Sequence, residues 1–401
     1  METKGNRIRR LLPWLVVVVL GVLALAAFLF WRSTVPAAPP AFYTPPDPLP
    51  AGEPGTIIRT EELTQNVPEG ARAWRVLYLS RGADGQPTAV SGIIAAPVAA
   101  SDEPRPVVAW AHGTLGVQPA CGTSHLDNPF EQIPQVERLM QQGYVLAATD
   151  YPGLGTPGIH PYLFGEVEAA AVLDSVRAAR QLETGAGDRF AVWGHSQGGH
   201  ATLWTAITAE TYAPELELVG AAAIAPAADL VGILNGAMDK QTGAVLVSMA
   251  LAAWDANFPG ASLEDLVAPD AVAEVKKPAE LCLTTPSAFL LLGDLRPPSD
   301  YLPPNLTEID AFQQFIAANT PDGPIDVPLI IAHGTADSII PFEGSVKEAA
   351  RRCAAGEDVE FNRYPGDDHL PVGEHSAVGV IGWIEDRFAG RPTGPNCERN
   401  S

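Results

Sequence analysis

The chain has 401 residues, of which 46% are hydrophobic and 18% charged, with 47 acidic side chains against 25 basic ones. This much apolar material excludes an intrinsically disordered protein, since the chain can bury a sizeable core. The net charge of −22 argues against a nucleic-acid partner, because phosphate binding requires basic side chains.

The N-terminal residues predict a membrane segment. Four basic residues lie within residues 1–10, which form a cytoplasmic n-region, and residues 11–31 form a run of 21 positions without a charge. A bilayer core needs roughly 20 apolar helical residues, whereas the h-region of a cleaved signal peptide has about 7–15. We therefore expect an uncleaved single-pass signal anchor in the cell membrane, with the domain that follows outside the cytoplasm. Cleavage after Ala37 is the alternative, because Val35 and Ala37 are small, and it would give a secreted protein.

A proline-rich segment, residues 32–54, follows the run and predicts an extended stalk. No internal repeat follows the stalk, so the remainder is expected to be one domain with at most an insertion. An acidic surface is not attracted to anionic headgroups. We therefore expect only the N-terminal helix to hold the protein to a membrane.

After the stalk the sequence predicts a hairpin-like entry of two strands, at 73–80 and 88–97. Short apolar runs then predict strands that are buried on both faces, and they lie at 106–111, 144–149, 190–193, 218–224 and 327–332. Helical patterns, such as that of residues 166–182, lie between several of them. Strands that alternate with helices predict an α/β fold with a mostly parallel sheet, whose ligands bind at the carboxyl ends of the strands.

The segment Gly194–Gly198 fits the pattern G-x-S-x-G of a nucleophile elbow. In such an elbow a sharp turn from a strand to a helix exposes the serine, and glycines stand where side chains would clash. The apolar run 190–193 precedes the segment and an alanine-rich helical run at 200–210 follows it, as this turn requires. The pattern predicts Ser196 as a nucleophile, which needs a histidine to accept its proton and a carboxylate to orient that histidine.

The carboxylate of this set is expected to follow the serine along the chain and to precede the histidine. Asp337 lies just after the buried run 327–332, and no other acid after Ser196 follows a clear strand so closely. We therefore predict Asp337 as the acid.

Two histidines follow Asp337, and only one of them has the expected position. His369 lies between a predicted last strand, 358–364, and a predicted last helix, 372–388, in a loop from which it can approach the serine. His375 falls inside that helix. We predict His369 as the base. His375 is expected to lie on the helix surface or to contact the catalytic residues without taking part in the reaction.

An oxyanion formed during acyl transfer needs two backbone donors. The amide of Gln197, which follows the serine, is one candidate. The second is expected in the loop after the run 106–111, where we predict the Thr114 amide, with Leu115 as the alternative.

Residues 150–155 (DYPGLG) lack the Lys-Ser/Thr of a P-loop and the spacing of a dinucleotide fingerprint. We interpret Asp150 and Tyr151 as structural residues that shape an acyl pocket or support the elbow. Nothing else in the sequence predicts a cofactor or a metal site, since the four cysteines lack CxxC spacing. These are Cys121, Cys282, Cys353 and Cys397, which predict two disulfides in an exported domain with three connectivities open.

Residues 232–326 exceed what the sheet needs and predict a helical cap inserted over the strand ends, which divides a core of residues 55–231 and 327–397. The apolar runs 244–254 and 287–292 form either the core of this cap or a wall that binds an acyl chain. Met249 and Phe289 are the residues whose position in that wall would set acyl-length preference.

Five motifs, in the order HGTxG near Cys121, TDYPGLG, GHSQGGH, HGTADSIIPFE and WIEDRFAGRPTGPNC, resemble those of the secretory lipase family, which includes fungal lipase A. The resemblance covers roughly residues 55–397. It implies an α/β-hydrolase core, hydrolysis of carboxylic esters and a triad of Ser196, Asp337 and His369. It also suggests pairing Cys121 with Cys282 and Cys353 with Cys397. The N-terminal anchor and the stalk depart from the family and place free secretion in doubt.

The predicted function is that of a cofactor-independent serine hydrolase, a lipase or esterase, that acts on small-molecule or lipid esters with triacylglycerol among the candidates. An acyltransferase with the same triad is an alternative, which is decided by whether an acceptor alcohol outcompetes water. A peptidase is another. A non-catalytic cell-surface binding module on a hydrolase scaffold is a third, against which the complete set of site residues argues.

Overall fold

The computed structural model describes residues 17–22, 24, 25, 28, 30, 37–284 and 295–397. Within these residues nine strands form one sheet, and ten α-helices accompany it. The strands are β1 (Ile57–Leu63), β2 (Ala71–Arg81), β3 (Pro87–Pro97), β4 (Arg105–Ala111), β5 (Val145–Thr149), β6 (Ala186–His195), β7 (Glu217–Ile224), β8 (Leu329–Gly334) and β9 (Val359–Tyr364). The helices are α1 (Val136–Gln141), α2 (Gly165–Ala179), α3 (Gln197–Tyr212), α4 (Leu230–Ala237), α5 (Gln241–Asn257), α6 (Leu263–Leu266), α7 (Val272–Ala279), α8 (Asp310–Asn319), α9 (Phe342–Ala355) and α10 (His369–Phe388).

The sheet is mostly parallel, as the alternation of strands and helices predicts. Its strand order is β1-β2-β3-β5-β4-β6-β7-β8-β9, with antiparallel pairing from β1 to β5 across β2 and β3 and parallel pairing from β5 to β9. The carboxyl ends of β4, β6 and β8 therefore meet at one edge. The loops that carry Thr114, Ser196 and Asp337 follow these three strands.

Each predicted strand and helix overlaps an observed one, although α1 and α9 were not predicted, and three other differences have a physical reason. β1 was not predicted, because this edge strand contains Arg59, Glu61 and Glu62 and no apolar alternation. β6 starts at Ala186, four residues before the predicted run, since its polar beginning pairs with Arg105 of β4. The last helix begins at His369 and not at residue 372, because the side chain of Asp368 caps it by accepting a hydrogen bond from the His369 amide at 2.8 Å.

Two apolar cores lie on opposite faces of the sheet. Val107 and Ala109 of β4 belong to the core under α2, α3 and α9, whereas Val108 and Trp110 belong to the core under α1 and α10. This alternation is the period of two of a strand that is buried on both faces. The continuous apolar runs of the sequence are explained by it.

A third core belongs to the helices between β7 and β8. α4 to α8 pack around Trp254, Phe312 and Phe315, together with residues 162–164 of the loop that precedes α2. These helices lie largely within residues 232–326, for which a helical insertion was predicted, and the first of them begins at Leu230. Met249 is fully buried in this core, whereas Phe289 and the run 287–292 lie outside the described residues.

The N-terminal predictions fall largely outside the described residues. Residues 1–10 and about half of the predicted span 11–31 are not among them, and the described positions of that span are helical. Within the described residues no helix is both long and apolar enough to cross a membrane. The predicted stalk is not a free spacer over its whole length, because Tyr43 is buried in the domain and its hydroxyl is hydrogen-bonded to Ser124 Oγ at 2.9 Å.

Two disulfides join distant parts of the chain, and they are the two pairs suggested by the family resemblance. Cys121–Cys282 connects the loop after β4 to the segment after α7, across 161 positions of sequence. Cys353–Cys397 connects α9 to the C-terminal segment across 44 positions. The first disulfide therefore attaches the inserted helices to the edge of the sheet.

Replacement of both Cys121 and Cys282 by Ser should lower the free energy of unfolding by about 2–5 kcal/mol, because the disulfide restricts the unfolded chain. The Cys353–Cys397 disulfide closes a shorter loop. The double variant Cys353→Ser, Cys397→Ser should therefore lose about 1 kcal/mol less. Denaturant unfolding of the oxidised proteins measures both losses. An unchanged free energy in the first double variant would contradict the expectation.

Candidate active site

The turn between β6 and α3 holds Ser196 in a strained conformation. Its φ is +61° and its ψ is −120°, values that a residue with a side chain rarely adopts. A Cβ atom on Gly198 would lie 1.9 Å from the carbonyl oxygen of Ala111, and one on Gly194 would lie 2.3 Å from the carbonyl oxygen of Gly198. Both glycines are therefore required by the close approach of the turn to β4.

A histidine and a carboxylate face each other at the same edge of the sheet. His369 Nδ1 donates to Asp337 Oδ2 at 2.7 Å. The other oxygen, Asp337 Oδ1, accepts the amides of Ile339 at 2.9 Å and Ile340 at 2.8 Å. The side chain of Asp337 is completely buried and that of His369 nearly so. The carboxylate is thereby held in one orientation toward the imidazole.

A second histidine, His333, contacts the same carboxylate. Its Nε2 lies 3.0 Å from Asp337 Oδ2 and 3.2 Å from the carbonyl oxygen of Ile340, and both atoms are acceptors, so Nε2 carries the proton. Its Nδ1 lies 2.7 Å from the hydroxyl of Ser345 in α9. Burial raises the pKa of Asp337, but hydrogen bonds from His333 and His369 outweigh burial and hold that pKa well below its usual range. The acid therefore stays ionised beside its histidines.

Ser196 and His369 line the same cavity, which has a volume of about 1450 Å³. No hydrogen bond joins the Ser196 hydroxyl to His369 in the described part of the chain. Such contacts are often long in a free enzyme and shorten when a substrate binds. His375 has a different position, since it is 59% exposed on α10, bonds to Asp367 Oδ2 at 2.8 Å and does not line this cavity.

The two predicted oxyanion donors belong to segments at the same edge of the sheet as the serine. Gln197 opens α3, and Thr114 lines the cavity together with Ser196. Neither amide donates to another described residue. The Thr114 hydroxyl is hydrogen-bonded to the hydroxyl of Tyr162 at 2.9 Å. Leu115, the predicted alternative, also lines the cavity, and its carbonyl oxygen accepts the amide of Leu283 at 2.8 Å.

The loop that carries Thr114 is supported by the segment after β5. His112 Nε2 lies 3.2 Å from the carbonyl oxygen of Asp150, and the hydroxyl of Tyr151 donates to the carbonyl oxygen of His112 at 3.3 Å. The Asp150 carboxylate accepts the amides of Thr123 and Ser124 at 3.1 and 3.0 Å. Asp150 and Tyr151 are therefore structural, but they support this loop, whereas the prediction placed them at an acyl pocket or under the elbow. Neither of them lines the cavity.

A buried polar cluster under the turn was not predicted from the sequence. Glu168 of α2 is fully buried, and its Oε1 accepts from Gln197 Nε2 at 2.7 Å. His200 Nδ1 donates to Glu168 Oε2 at 2.9 Å. Gln197 Nε2 also lies 2.7 Å from His160 Nε2. The cluster holds Gln197, the residue next to the serine, in place. The signal for it in the sequence was Glu168, an acid that lies four residues before Val172 on the apolar stripe of a predicted helix.

Two buried histidines of this region are neutral. Burial, followed in size by the neighbouring His369, lowers the pKa of His195 to about 3, and its Nε2 donates to the carbonyl oxygen of His369 at 2.8 Å. Its ring packs on that of His369, with 4.6 Å between the ring centroids. Burial likewise lowers the pKa of His160 to about 4. His195 thus packs and bonds to backbone directly against the predicted base.

The low pKa of His160 predicts a loss of stability in acid. Between pH 6.5 and 4 the unfolded chain binds a proton at this position and the folded chain does not, so stability is complete above pH 6.5 and falls toward pH 4. His160→Gln should remove about 2 kcal/mol of the loss between pH 7.5 and pH 5. Urea unfolding at the two pH values measures it. The exposed His375→Gln variant is the control, and a His160→Gln variant with the pH dependence of the original protein would disprove the assignment.

The fold and the geometry of the site define the class of the protein. A serine at a strained strand-to-helix turn and a buried Asp-His pair lie at one edge of a mostly parallel sheet, which is the arrangement of an α/β-hydrolase. Among the described residues no three metal-binding side chains cluster. The sequence model of the secretory lipase family matches residues 130–396, and the chain belongs to this family of carboxylic ester hydrolases.

Individual relatives cover most of the chain. Lipase 6 of Candida albicans is 28% identical over 91% of this chain and 84% of its own length. A Mycobacterium tuberculosis protein named as a probable inactive lipase is 26% identical over 90% of this chain and 84% of its own length. The crystal structure of Candida antarctica lipase A, 20% identical, superposes with a TM-score of 0.76 over 90% of this chain and 89% of that one, which shows the fold. Since one relative is named as inactive, activity of this chain is inferred from the geometry of its site.

Proposed function

We propose that this chain hydrolyses carboxylic esters of small-molecule or lipid alcohols through an acyl-enzyme on Ser196. The observation that carries the proposal is the Asp337-His369 pair, joined at 2.7 Å, which shares one cavity with a serine held at a φ of +61°. A serine hydroxyl alone is a weak nucleophile at neutral pH, and this set of groups supplies what it lacks.

In the first half of the reaction, the Ser196 hydroxyl attacks the ester carbonyl while His369 Nε2 accepts its proton. Asp337 Oδ2 accepts the Nδ1 proton of His369, which fixes the tautomer and stabilises the imidazolium that forms. His369 then donates the proton to the alkoxide oxygen of the leaving alcohol. Water then attacks the acyl carbonyl while His369 accepts its proton. His369 returns that proton to Ser196 Oγ as the bond between the serine and the acyl group breaks, which releases the carboxylic acid and restores the free enzyme.

The negative oxygen of each tetrahedral intermediate needs donors that are already in place. We assign the amides of Gln197 and Thr114 to this role, because neither is used by another described residue. The side chain of Gln197 is held by Glu168, and that of Thr114 by Tyr162. These contacts hold both backbone donors in position before the charge develops.

Replacement of Ser196 by Ala should abolish covalent labelling by a fluorophosphonate and nearly all hydrolysis of p-nitrophenyl acetate, because the acyl-enzyme cannot form. Gel fluorescence and initial rates measure the two effects. Labelling that persists in this variant would identify another nucleophile and refute the assignment.

The two histidines of α10 provide a matched pair of variants. His369→Ala should lower kcat by at least about 10³-fold, since no group then accepts the serine proton. His375→Ala removes an exposed side chain from the same helix and should change kcat by less than about 2-fold. Steady-state kinetics decides between them, and the reverse ranking would overturn the choice of base.

We also propose that the folded domain lies outside the cytoplasm and is attached to the cell membrane by a helix over residues 11–31. The charge-free run and the basic residues before it support this location. The two disulfides support export, because such bonds persist in oxidising compartments. Membership of a secretory family is consistent with it.

Carbonate-washed membranes should retain the full-length protein, and protease added to intact cells should digest the domain, since only the helix is membrane-embedded. Immunoblotting of both fractions measures this. Recovery of a soluble chain that begins at Ala38 would instead establish cleavage after Ala37 and a secreted enzyme.

A further inference from the structure

A second histidine bonds to the same carboxylate oxygen as the predicted base. His333 lies near the end of β8, four positions before Asp337, and it is fully buried. Its Nε2 donates to Asp337 Oδ2 at 3.0 Å, and His369 Nδ1 donates to this oxygen at 2.7 Å. His333 does not line the cavity that contains Ser196 and His369. Any effect of His333 on the proposed reaction therefore passes through Asp337.

Contacts with α9 hold the ring of His333. Its Nδ1 lies 2.7 Å from the hydroxyl of Ser345, which is fully buried, and its ring meets that of Phe342 edge to face with 5.6 Å between the centroids. Because Nε2 carries the proton, Nδ1 of the neutral ring accepts the hydroxyl proton of Ser345. The donor to Asp337 is thus in place before a substrate binds.

The four donors to the Asp337 carboxylate have different effects. The amides of Ile339 and Ile340 both donate to Oδ1, so by themselves they leave the carboxylate plane free to turn about that oxygen. A donor at Oδ2 removes this freedom. His369 cannot supply it alone, because its own orientation depends on the carboxylate. His333 is held by β8 and α9 instead, and it fixes the plane of the carboxylate independently of the base.

The hydrogen bond from His333 also takes up part of the charge of Oδ2. A carboxylate stabilises the imidazolium ion of its histidine partner through the charge of the oxygen that faces it. Since His333 and His369 engage the same oxygen, less of this charge acts on His369. Loss of the bond from His333 would favour the protonated form of His369, which would then accept the serine proton only at higher pH.

We propose that His333 is a positioning residue of the reaction, whose Nε2 proton holds the plane of the Asp337 carboxylate and limits the charge with which Oδ2 acts on His369. This inference rests on the proposed ester hydrolysis and adds a residue that controls the strength of its base. One histidine partner of Asp337 exchanges protons, and the other sets the pH range in which it does so.

Other charged or titratable groups lie on the elements around this carboxylate, namely His195, Asp367, Asp368, Glu348 and Arg363. Burial lowers the pKa of His195 to about 3, so it stays neutral. Hydrogen bonds from the amides of Ser338 and His369 lower the pKa of Asp368, so it stays ionised. Two variants that differ only at position 333 leave all five groups in place. A difference between them therefore reports the contact with Asp337.

An amide pair at position 333 separates this contact from the rest of the side chain. The nitrogen of a glutamine reaches about the position of Nε2, whereas that of an asparagine reaches only the position of Nδ1, so His333→Gln retains a donor to Asp337 and His333→Asn does not. His333→Asn should lower kcat for p-nitrophenyl acetate by about 10-fold or more and raise the midpoint of the acid limb of kcat/KM by about 0.5–1 pH unit. His333→Gln should remain within about 3-fold and about 0.3 pH unit of the original protein. Equal profiles of the two variants, measured from about pH 5 to 9, would overturn the proposal.

Ile331 provides the control for a loss of stability. It precedes His333 by two positions on β8, is fully buried and belongs to the core under α2, α3 and α9. Ile331→Ala should unfold at a lower urea concentration but keep its acid limb within about 0.2 pH unit. A shift as large as that of His333→Asn would trace the effect to stability and overturn the proposal. If His333→Asn fails to fold, Ser345→Ala, which removes only the contact to Nδ1, should raise the midpoint in the same direction, and an unchanged midpoint would contradict the proposed role.

A double-mutant cycle with Asp337 tests whether His333 acts through the carboxylate. In an Asp337→Ala background no carboxylate remains to be oriented, so the addition of His333→Asn should change the rate of fluorophosphonate labelling by less than about 2-fold, against about 10-fold in the original protein. A full 10-fold loss in that background would show an independent role and overturn the proposal. Absent labelling and absent ester hydrolysis in the original protein would instead reject the proposed function itself.

Discussion

The close approach of the turn at Ser196 to the end of β4 is the constraint on which the rest of the site depends. At Gly198 no atom larger than hydrogen fits against the carbonyl oxygen of Ala111, so the first turn of α3 lies in direct contact with the end of β4. The strained backbone of Ser196 is maintained because the turn packs closely against β4 and is hydrogen-bonded to β7. The Ser196 amide donates to the carbonyl oxygen of Ile224 at 2.9 Å. Sheet, turn and helix therefore form one rigid unit that presents the hydroxyl.

Buried polar groups stabilise this unit from two directions. Under the turn, Glu168 holds Gln197 and His200, and at the edge of the sheet Asp337 is held by His333 and His369. Carboxylates in an apolar interior are tolerated only when they are hydrogen-bonded, and each of these has several donors. Burial keeps His160, beside Glu168, and His195, beside His369, neutral. Neither histidine therefore adds a positive charge next to these carboxylates. The arrangement fixes the orientation of these side chains, and it makes the folded state sensitive to acid.

The inserted helices reach the edge of the sheet where Ser196 lies. They have an apolar core, and the disulfide Cys121–Cys282 attaches them beside the loop that carries Thr114. Packing of Phe315 and its neighbours leaves only a small space next to the serine. The cavity that contains His369 is also lined by this group, through Thr242, Val245 and Leu246 of α5.

Sequence by itself determined the sheet class, the G-x-S-x-G turn and the candidates Asp337 and His369, because these depend on local patterns: continuous apolar runs, glycines at fixed spacing and polar residues directly after strands. It missed β1, whose charged residues hide an edge strand, and the start of α10, which depends on the side-chain orientation of Asp368. The three possible connectivities of the cysteines also could not be separated by spacing.

Only the tertiary structure decided the roles of residues whose partners are distant in sequence. Glu168 reads as one acid on a helix until the fold brings it against Gln197, 29 positions later. His369 reaches Asp337, 32 positions earlier, only when α10 packs beside the loop after β8. The small cavity beside Ser196 has the same origin, since Phe315 and other side chains from separate helices line it. Distances between such groups follow from close packing in three dimensions, and no local pattern encodes them.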